Sequence, residues 1–133
     1  MKKILTVFAI LAFFSATFIG CKKEKTKTQA DLIVGTWQVS KLTYNDHTNG
    51  ADNIITTTNF TSSDTYEFTK DGTVNANVQG QSESSTYTIA AGKLTITGDD
   101  TYDIQALNEH ALVIYSKSVT GSDYEEITIT FKR

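Results

Sequence analysis

The sequence predicts an all-β domain, an antiparallel up-and-down meander of eight strands closed into a barrel. Apolar residues alternate with polar ones at a period of two in eight short segments between Trp37 and Phe131, the pattern of half-buried strands. The chain contains no proline, so strand interiors are not interrupted. Closure into a barrel removes exposed strand edges. A two-sheet β-sandwich remains the alternative, because alternation alone does not fix closure.

The elements follow in chain order from about residue 30. Residues 29–34 predict one helical turn before the first strand. The eight strands are marked by their apolar positions: Trp37 and Val39; Tyr66 and Phe68; Val74, Ala76 and Val78; Tyr87 and Ile89; Leu94 and Ile96; Tyr102 and Ile104; Leu112 and Ile114; and Ile127, Ile129 and Phe131. Short connections bearing Gly, Asn or Asp at 70–72, 91–92, 98–100, 108–110 and 120–122 suit hairpins. The polar, threonine-rich stretch 45–64 is open to three interpretations: a loop, a short helix around 51–55, or an extra edge strand.

The N-terminus has the pattern of a cleaved export signal. Lys2 and Lys3 precede an almost wholly apolar run over residues 4–14, which Ser15 and Thr17 then interrupt. A spanning helix needs about 20 apolar residues. We therefore expect residues 1–20 to be a signal peptide that is removed, not a membrane anchor.

A signal for lipid attachment ends at Cys21, the only cysteine in the chain. The sequence FIGC over residues 18–21 resembles the lipobox of bacterial lipoproteins. That resemblance implies a diacylglyceryl group on the thiol and fatty acyl chains such as palmitate, which attach the protein to a membrane. Lys22 after the cysteine, by the sorting rule of enteric bacteria, favours the outer membrane of the cell envelope. Residues 21–29 then form a lipidated N-terminus and flexible tether, and residues 30–133 form the domain.

Charge and motifs exclude several classes of function. Loss of Lys2 and Lys3 with the signal changes the formal net charge from −3 to −5, and no basic stripe is present, so nucleic acid is not expected as a partner. His47 lies in the polar stretch and His110 in a turn, at opposite ends of the predicted barrel, and neither has a second histidine or cysteine nearby. No nucleophile, phosphate-loop or calcium-loop motif occurs. We expect a monomeric non-enzyme without catalytic residues, cofactor or metal.

Gly35, Thr36 and Trp37 form a G-x-W at the start of the first strand. Together with residues 66–73 and 87–96, this motif resembles the lipocalin-like domains of small bacterial lipoproteins, and the resemblance covers about 32–133. It implies a cup that holds a small, mostly apolar molecule, with Gly35 and Trp37 as the structural floor of the barrel. It also implies that a basic residue near the last strand, Lys132 or Arg133, packs over the tryptophan.

Meander topology assigns side chains to the two ends of the barrel. Five tyrosines are predicted to ring the open mouth as ligand-binding residues: Tyr44, Tyr66, Tyr87, Tyr102 and Tyr124. Tyrosine also favours strands in general, so the ring can be purely structural. The turns at 71–72 and 91–92 fall at the closed end, and residues 45–64 lie across the mouth. Two functions remain: binding of a small hydrophobic ligand, or interaction of a side-chain-filled barrel with an envelope protein through its loops.

Overall fold

The structure, a computed structural model, describes residues 25–133, so the predicted signal peptide and Cys21 lie outside the described residues. A short helix precedes nine strands: α1 Gln29–Ile33, β1 Gly35–Thr48, β2 Ala51–Thr57, β3 Thr65–Phe68, β4 Thr73–Val78, β5 Gln81–Ala90, β6 Lys93–Ile96, β7 Thr101–Leu107, β8 Ala111–Thr120 and β9 Asp123–Lys132. In this part of the chain, no helix is long and apolar enough to cross a membrane.

Eight of the strands form a closed antiparallel barrel, in the order β1, β3, β4, β5, β6, β7, β8, β9. Closure comes from β9 returning to β1, with Phe131 opposite Val39 and Ile127 opposite Tyr44. The barrel prediction is therefore confirmed, and the sandwich alternative is wrong, because a sandwich would leave β1 and β9 unpaired with each other.

The stretch 45–64, which the sequence left open, contains the ninth strand. β1 continues to Thr48, reverses through Asn49 and Gly50, and pairs antiparallel with β2 from Thr48 opposite Ala51 to Leu42 opposite Thr57. β2 is thus the extra edge strand, added to the outer half of β1. The segment between β2 and β3 then returns to the barrel, where Phe60 packs against the core.

The helix α1 closes one end of the barrel. Thr28 caps it through a reciprocal pair of hydrogen bonds with Asp31, a capping box, which confirms the predicted turn. Ile33 is fully buried, and its carbonyl accepts a hydrogen bond of 2.7 Å from the Trp37 indole N–H. We call this closed end, formed by α1 and the turns at 69–72, 91–92 and 108–110, the floor.

Side chains fill the barrel interior. The largest of them, each less than 2% exposed, are Trp37, Phe68, Phe131, Ile33, Leu94, Leu112 and Ile114. Phe68 meets Tyr87 edge to face at 5.0 Å between ring centroids, a favoured aromatic geometry. The space between the strands is therefore a packed core.

One side of the barrel is much taller than the other. β3 and β6 have four residues each, whereas β1 has 14 and β8 and β9 have ten. The outer parts of four strands, ordered β2–β1–β9–β8 and covering residues 42–48, 51–57, 116–120 and 123–127, continue beyond the mouth. We call this four-stranded sheet the extension. A bulge lies between Val39 and Lys41, at the point where the hydrogen-bonded neighbour of β1 changes from β3 to β2. Bulges commonly bend strands in this way.

Candidate functional site

The side chains of Arg133 and Trp37 pack against each other at the floor. The Arg133 guanidinium lies over the Trp37 ring, with Cζ 3.8 Å from the ring centroid, well within cation–π range. Its Nη2 donates hydrogen bonds to the carbonyls of Leu32 at 2.7 Å and Val34 at 3.0 Å. Of the two basic residues suggested by the family resemblance, Arg133 therefore takes this position, and Lys132 is exposed.

Gly35 lies directly beneath this contact. Its φ of +122° is a conformation that side chains rarely adopt, and a Cβ there would lie 3.6 Å from the Arg133 Cζ. The structure thus places Gly35 and Trp37 at the closed end, where they fix the entry of β1.

Tyr87 lies near the floor. Its hydroxyl donates to the carbonyl of Thr69 at 2.8 Å, and its backbone N–H donates to the carbonyl of Gly72 at 2.7 Å. The prediction that this tyrosine rings the mouth is wrong, because β5 begins at Gln81 and Tyr87 is already far along the descending strand.

Tyr66 and Tyr102 are near the mouth, but they face the barrel interior. Tyr102 is only 3% exposed, and its hydroxyl donates to Asp99 at 3.0 Å. Burial raises the pKa of Tyr102, and the Asp99 carboxylate raises it further. Tyr66 is half-buried, burial raises its pKa, and its ring meets the Phe131 ring edge to face at 5.2 Å. Both rings therefore belong to the upper layer of the core.

Tyr44 is on the inner face of the extension, the face on the barrel side. In the antiparallel register Tyr44 is opposite Ile127 on β9 and Ile55 on β2, and opposite residues share a face. Leu42 belongs to the same face, and Ile55 is 52% exposed. The Glu125 carboxylate beside its hydroxyl raises the pKa of Tyr44. An apolar strip with one phenolic hydroxyl thus lines the extension above the mouth.

Tyr124 is on the opposite, outer face of the extension. Its ring stacks on His47 with 4.5 Å between centroids and 4° between planes. The Lys117 Nζ lies 3.6 Å from the Tyr124 ring centroid. The Asp52 carboxylate accepts a hydrogen bond from the Tyr124 hydroxyl at 3.3 Å and contacts the His47 Nδ1 at 2.7 Å. The hydrogen bond with His47 lowers the pKa of Asp52. These side chains join β2, β1, β9 and β8 across the sheet.

Glu126 continues the same outer network. It accepts hydrogen bonds from Tyr115 at 2.8 Å, Lys117 at 3.0 Å and Asn45 at 3.2 Å. The bond from Tyr115 lowers the pKa of Glu126, and the carboxylate in turn raises the pKa of Tyr115 to about 12. Both therefore keep their charge states at neutral pH. The network links side chains of β1, β8 and β9 on the outer face of the extension.

The available space lies outside the core. The pocket on the short side of the mouth, between Tyr66, Ile96 and Asp99, has a volume of about 80 Å³, whereas sites for drug-sized ligands occupy about 300–1,000 Å³. A pocket of about 200 Å³, also smaller than such sites, lies at the tip of the extension and is lined by Asp46, Ser118 and Glu125 among others. Larger hollows of about 500–690 Å³ lie on the outer wall of the barrel and beside α1, and Tyr87 lines one of them. The inner face of the extension, from the apolar strip to the pocket at its tip, is the candidate site.

The candidate site and the two histidines have the following polar groups and contacts. Within residues 25–133, no group of three or more His, Cys, Asp or Glu side chains is arranged to hold a metal ion. His47 contacts a carboxylate and an aromatic ring, and His110 lies in the floor turn. The site offers an apolar wall, carboxylates at its tip and a hydroxyl, which are groups for recognition.

Comparison with known proteins agrees with this architecture. Residues 33–133 match the family model described as Lipocalin_4, the lipocalin-like domain. A search of curated proteins finds no match. The matched range contains every strand of the barrel, the Trp37 and Arg133 pair and the extension. The chain therefore belongs to the lipocalin-like domain family.

Proposed function

We propose that this protein is an exported lipoprotein, anchored through Cys21, that binds a small, mostly apolar molecule on the inner face of the extension. The observation that carries the binding proposal is the exposed apolar strip above a filled barrel: Leu42, Tyr44, Ile55 and Ile127 share one face, and Ile55 is 52% exposed. A lipocalin-like barrel supports small-molecule binding as a class, and the extension supplies the surface.

The filled interior favours the extension over the barrel cavity. The side chains of Trp37, Phe68 and Phe131 are almost completely buried, and a ligand could enter only by displacing them. Displacing them would disrupt a closely packed core, whose side chains interdigitate at high density. The strip requires no such displacement.

Adjacent isoleucines on β2 provide a matched test. Ile55 lies on the inner face, whereas Ile54 is opposite Asn45 on the outer face and is 63% exposed. Neither belongs to the buried core. Nile red, a neutral apolar fluorophore, serves as the probe. Because Ile55→Asp places a carboxylate within the apolar strip, we expect its Nile red affinity to fall about tenfold, which corresponds to about 1.4 kcal/mol. Ile54→Asp should stay within about twofold of the parent. Equal effects of the two variants, or no effect of either, would contradict the assignment.

Native mass spectrometry then addresses the natural ligand. The mature chain is purified from the envelope of its own host in detergent, and retained molecules are extracted into organic solvent. We expect a reproducible apolar adduct that is lost in Ile55→Asp and kept in Ile54→Asp. A clean apo mass for the parent protein would count against a tightly held ligand.

The anchor proposal depends on the sequence. Lys2 and Lys3, the apolar run 4–14 and the cysteine after Gly20 have the spacing of a lipoprotein precursor. Acylation also supplies a partner for the only cysteine of an exported chain. Lys22 at the following position supports sorting to the outer membrane.

A second candidate is a protein-interaction module. The filled barrel favours it, and so does β2, which ends the sheet order and has no further strand beside it within the described residues. β2 carries neither lysine nor proline, the residues that commonly protect sheet edges, so an extended segment of another protein could add to it. This candidate predicts that no small-molecule adduct is found. It also predicts that Ile54→Asp and Ile55→Asp both impair binding of the protein partner.

A further inference from the structure

The ionised side chains of the described chain are unequally divided between the two ends of the barrel. The half nearer the mouth carries nine carboxylates against two lysines, Lys41 and Lys117, a formal charge of −7. Five of the carboxylates lie on the extension: Asp46, Asp52, Asp123, Glu125 and Glu126. The other four lie on the short side of the mouth, which we call the lower rim: Asp64 before β3, Glu83 in β5, and Asp99 and Asp100 in the β6–β7 turn.

The half nearer the floor has the opposite balance. Six basic residues, Lys25, Lys27, Lys70, Lys93, Lys132 and Arg133, face five acidic ones, a formal charge of +1. Several of the acidic groups are locally engaged: Asp31 caps α1, Asp103 pairs with Lys93 and Glu109 pairs with Lys27. Lys70 and Lys132 form no ion pair within residues 25–133 and are exposed.

The chain also joins the domain at the floor. Lys27 pairs with Glu109 in the β7–β8 turn, and α1 begins at Gln29. The seven residues 22–28 separate Cys21 from α1, and even fully extended they span only about 25 Å. This short connection carries four lysines and one glutamate. A lipid on Cys21 would therefore hold the floor close to the bilayer.

We propose that the floor rests on the anionic phospholipid head groups of the membrane that holds the lipid, with the mouth directed away from it. This inference rests on the lipid anchor of the proposed function. Each lysine near an anionic surface favours contact about fivefold, and Lys70 and Lys132 are available on the floor.

The carboxylates of the extension do not cancel that attraction, whereas Asp99 and Asp100, separated from the floor by the four residues of β6 or about 14 Å, oppose it in part. At about 3.4 Å per residue, the 14 residues of β1 are roughly 48 Å long, and a strand tilt of about 40° places the tip of the extension roughly 37 Å above the floor. This is about four Debye lengths at 0.1 M salt, where the Debye length is about 10 Å. In the inverted orientation the carboxylates of the extension would meet the anionic surface directly and be repelled. The resulting orientation leaves the inner face of the extension open to ligand.

Hydrogen exchange of the tethered chain tests this orientation. The mature chain, residues 21–133, is coupled through the Cys21 thiol to a maleimide phospholipid in vesicles of phosphatidylcholine with or without phosphatidylglycerol. We expect the floor amides at 69–72 and 108–111 to exchange about fivefold more slowly when phosphatidylglycerol is present. The mouth turns at 48–51 and 120–123 should not change.

Two lysines provide the matched comparison. Lys70→Glu places a negative charge in the floor turn, and Lys41→Glu makes the same charge change on the barrel wall, where Lys41 is opposite Thr130. Floor protection should be lost in Lys70→Glu and kept in Lys41→Glu, and 0.5 M salt should abolish it in the parent. Protection of the mouth, equal protection of both ends, or floor protection insensitive to Lys70→Glu would overturn the proposal. Chemical coupling keeps this result independent of acylation in the cell, which palmitate labelling measures separately.

Discussion

Replacement of Arg133 by alanine should destabilise the barrel although the residue lies at the end of the chain. The guanidinium covers the Trp37 ring at 3.8 Å and donates to two carbonyls, those of Leu32 and Val34. It thereby ties the segment after α1 to the end of β9 and covers the floor of the core. Alanine removes these contacts together.

The contacts set the size of the expected effect. A hydrogen bond from a charged donor contributes about 1.5–3 kcal/mol when buried, and a cation–π contact about 0.5–2 kcal/mol. Because Arg133 is exposed and water can reach the carbonyls after truncation, we take the lower part of these ranges. We expect Arg133→Ala to lower the free energy of unfolding by about 2 kcal/mol. For a domain of this size that is a fall in Tm of about 10 °C.

Trp37 provides the assay. It is the only tryptophan and is completely buried, so its emission should shift to longer wavelength when the barrel unfolds in urea. Arg133→Lys keeps the charge and can donate to a carbonyl, but it lacks the planar guanidinium that packs over the indole ring while Nη2 donates to both carbonyls, and it should lose about half as much stability. Lys132→Ala, at the exposed neighbouring position, should change stability by less than about 0.5 kcal/mol. If Arg133→Ala were as stable as Lys132→Ala, the floor contact would not stabilise the fold.

Three further substitutions have definite expected outcomes. Gly72→Val should cost about 1–2 kcal/mol in urea unfolding, because Gly72 has φ of +86° and β-branched residues are strained there; a parent-like midpoint would contradict this. Backbone N–H groups of Gln79 and Thr61 donate to Asp64 and lower its pKa. The folded-state pKa is then below the unfolded value of about 3.9, so the stabilisation is complete above that pH and is lost as pH falls through the folded value. Asp64→Asn should flatten the acid limb of Tm against pH, and an unchanged limb would refute the role. Cys21→Ala should leave the precursor uncleaved and without palmitate label, and normal labelling would disprove the anchor.

The barrel could be predicted from the sequence because its signals are local. Period-two alternation and glycine turns, such as the one at Gly72, are read over a few residues, and eight strands with short hairpins have few ways to hide their edges. The family resemblance predicted a basic residue over Trp37. A contact between residues 96 positions apart leaves no local pattern.

The extension could not be predicted because the pattern changes where it begins. The bulge between Val39 and Lys41 reverses the parity of β1, so Leu42 and Tyr44 do not continue the alternation of Trp37 and Val39. β2 is exposed along almost its whole length, and an exposed strand has no buried face to produce alternation. Ile55 was missed for this reason.

The five tyrosines do not form one ring at the mouth, and the reason is different. Strand starts were inferred from the first apolar residue, but β5 begins at Gln81 with a run of exposed polar residues before Tyr87. Polar strand ends beyond the core are indistinguishable from loops by composition. The same ambiguity hid the outer network around Glu126, whose members are spaced along four strands.

The proposed ligand surface and the buried core occupy different parts of the same long strands. The core positions Leu112, Ile114 and Phe131 lie in the floor-side parts of β8 and β9, whereas the strip residue Ile127 lies beyond them. β2 contributes no buried residue at all, yet it supplies Ile55 to the strip. Substitutions on β2 can therefore change the ligand surface while leaving the floor and the core intact, because the free energy lost from an exposed side chain is small. If the proposed function is right, Ile55→Asp should therefore weaken binding of the apolar probe without lowering the free energy of unfolding, and Ile54→Asp should change neither.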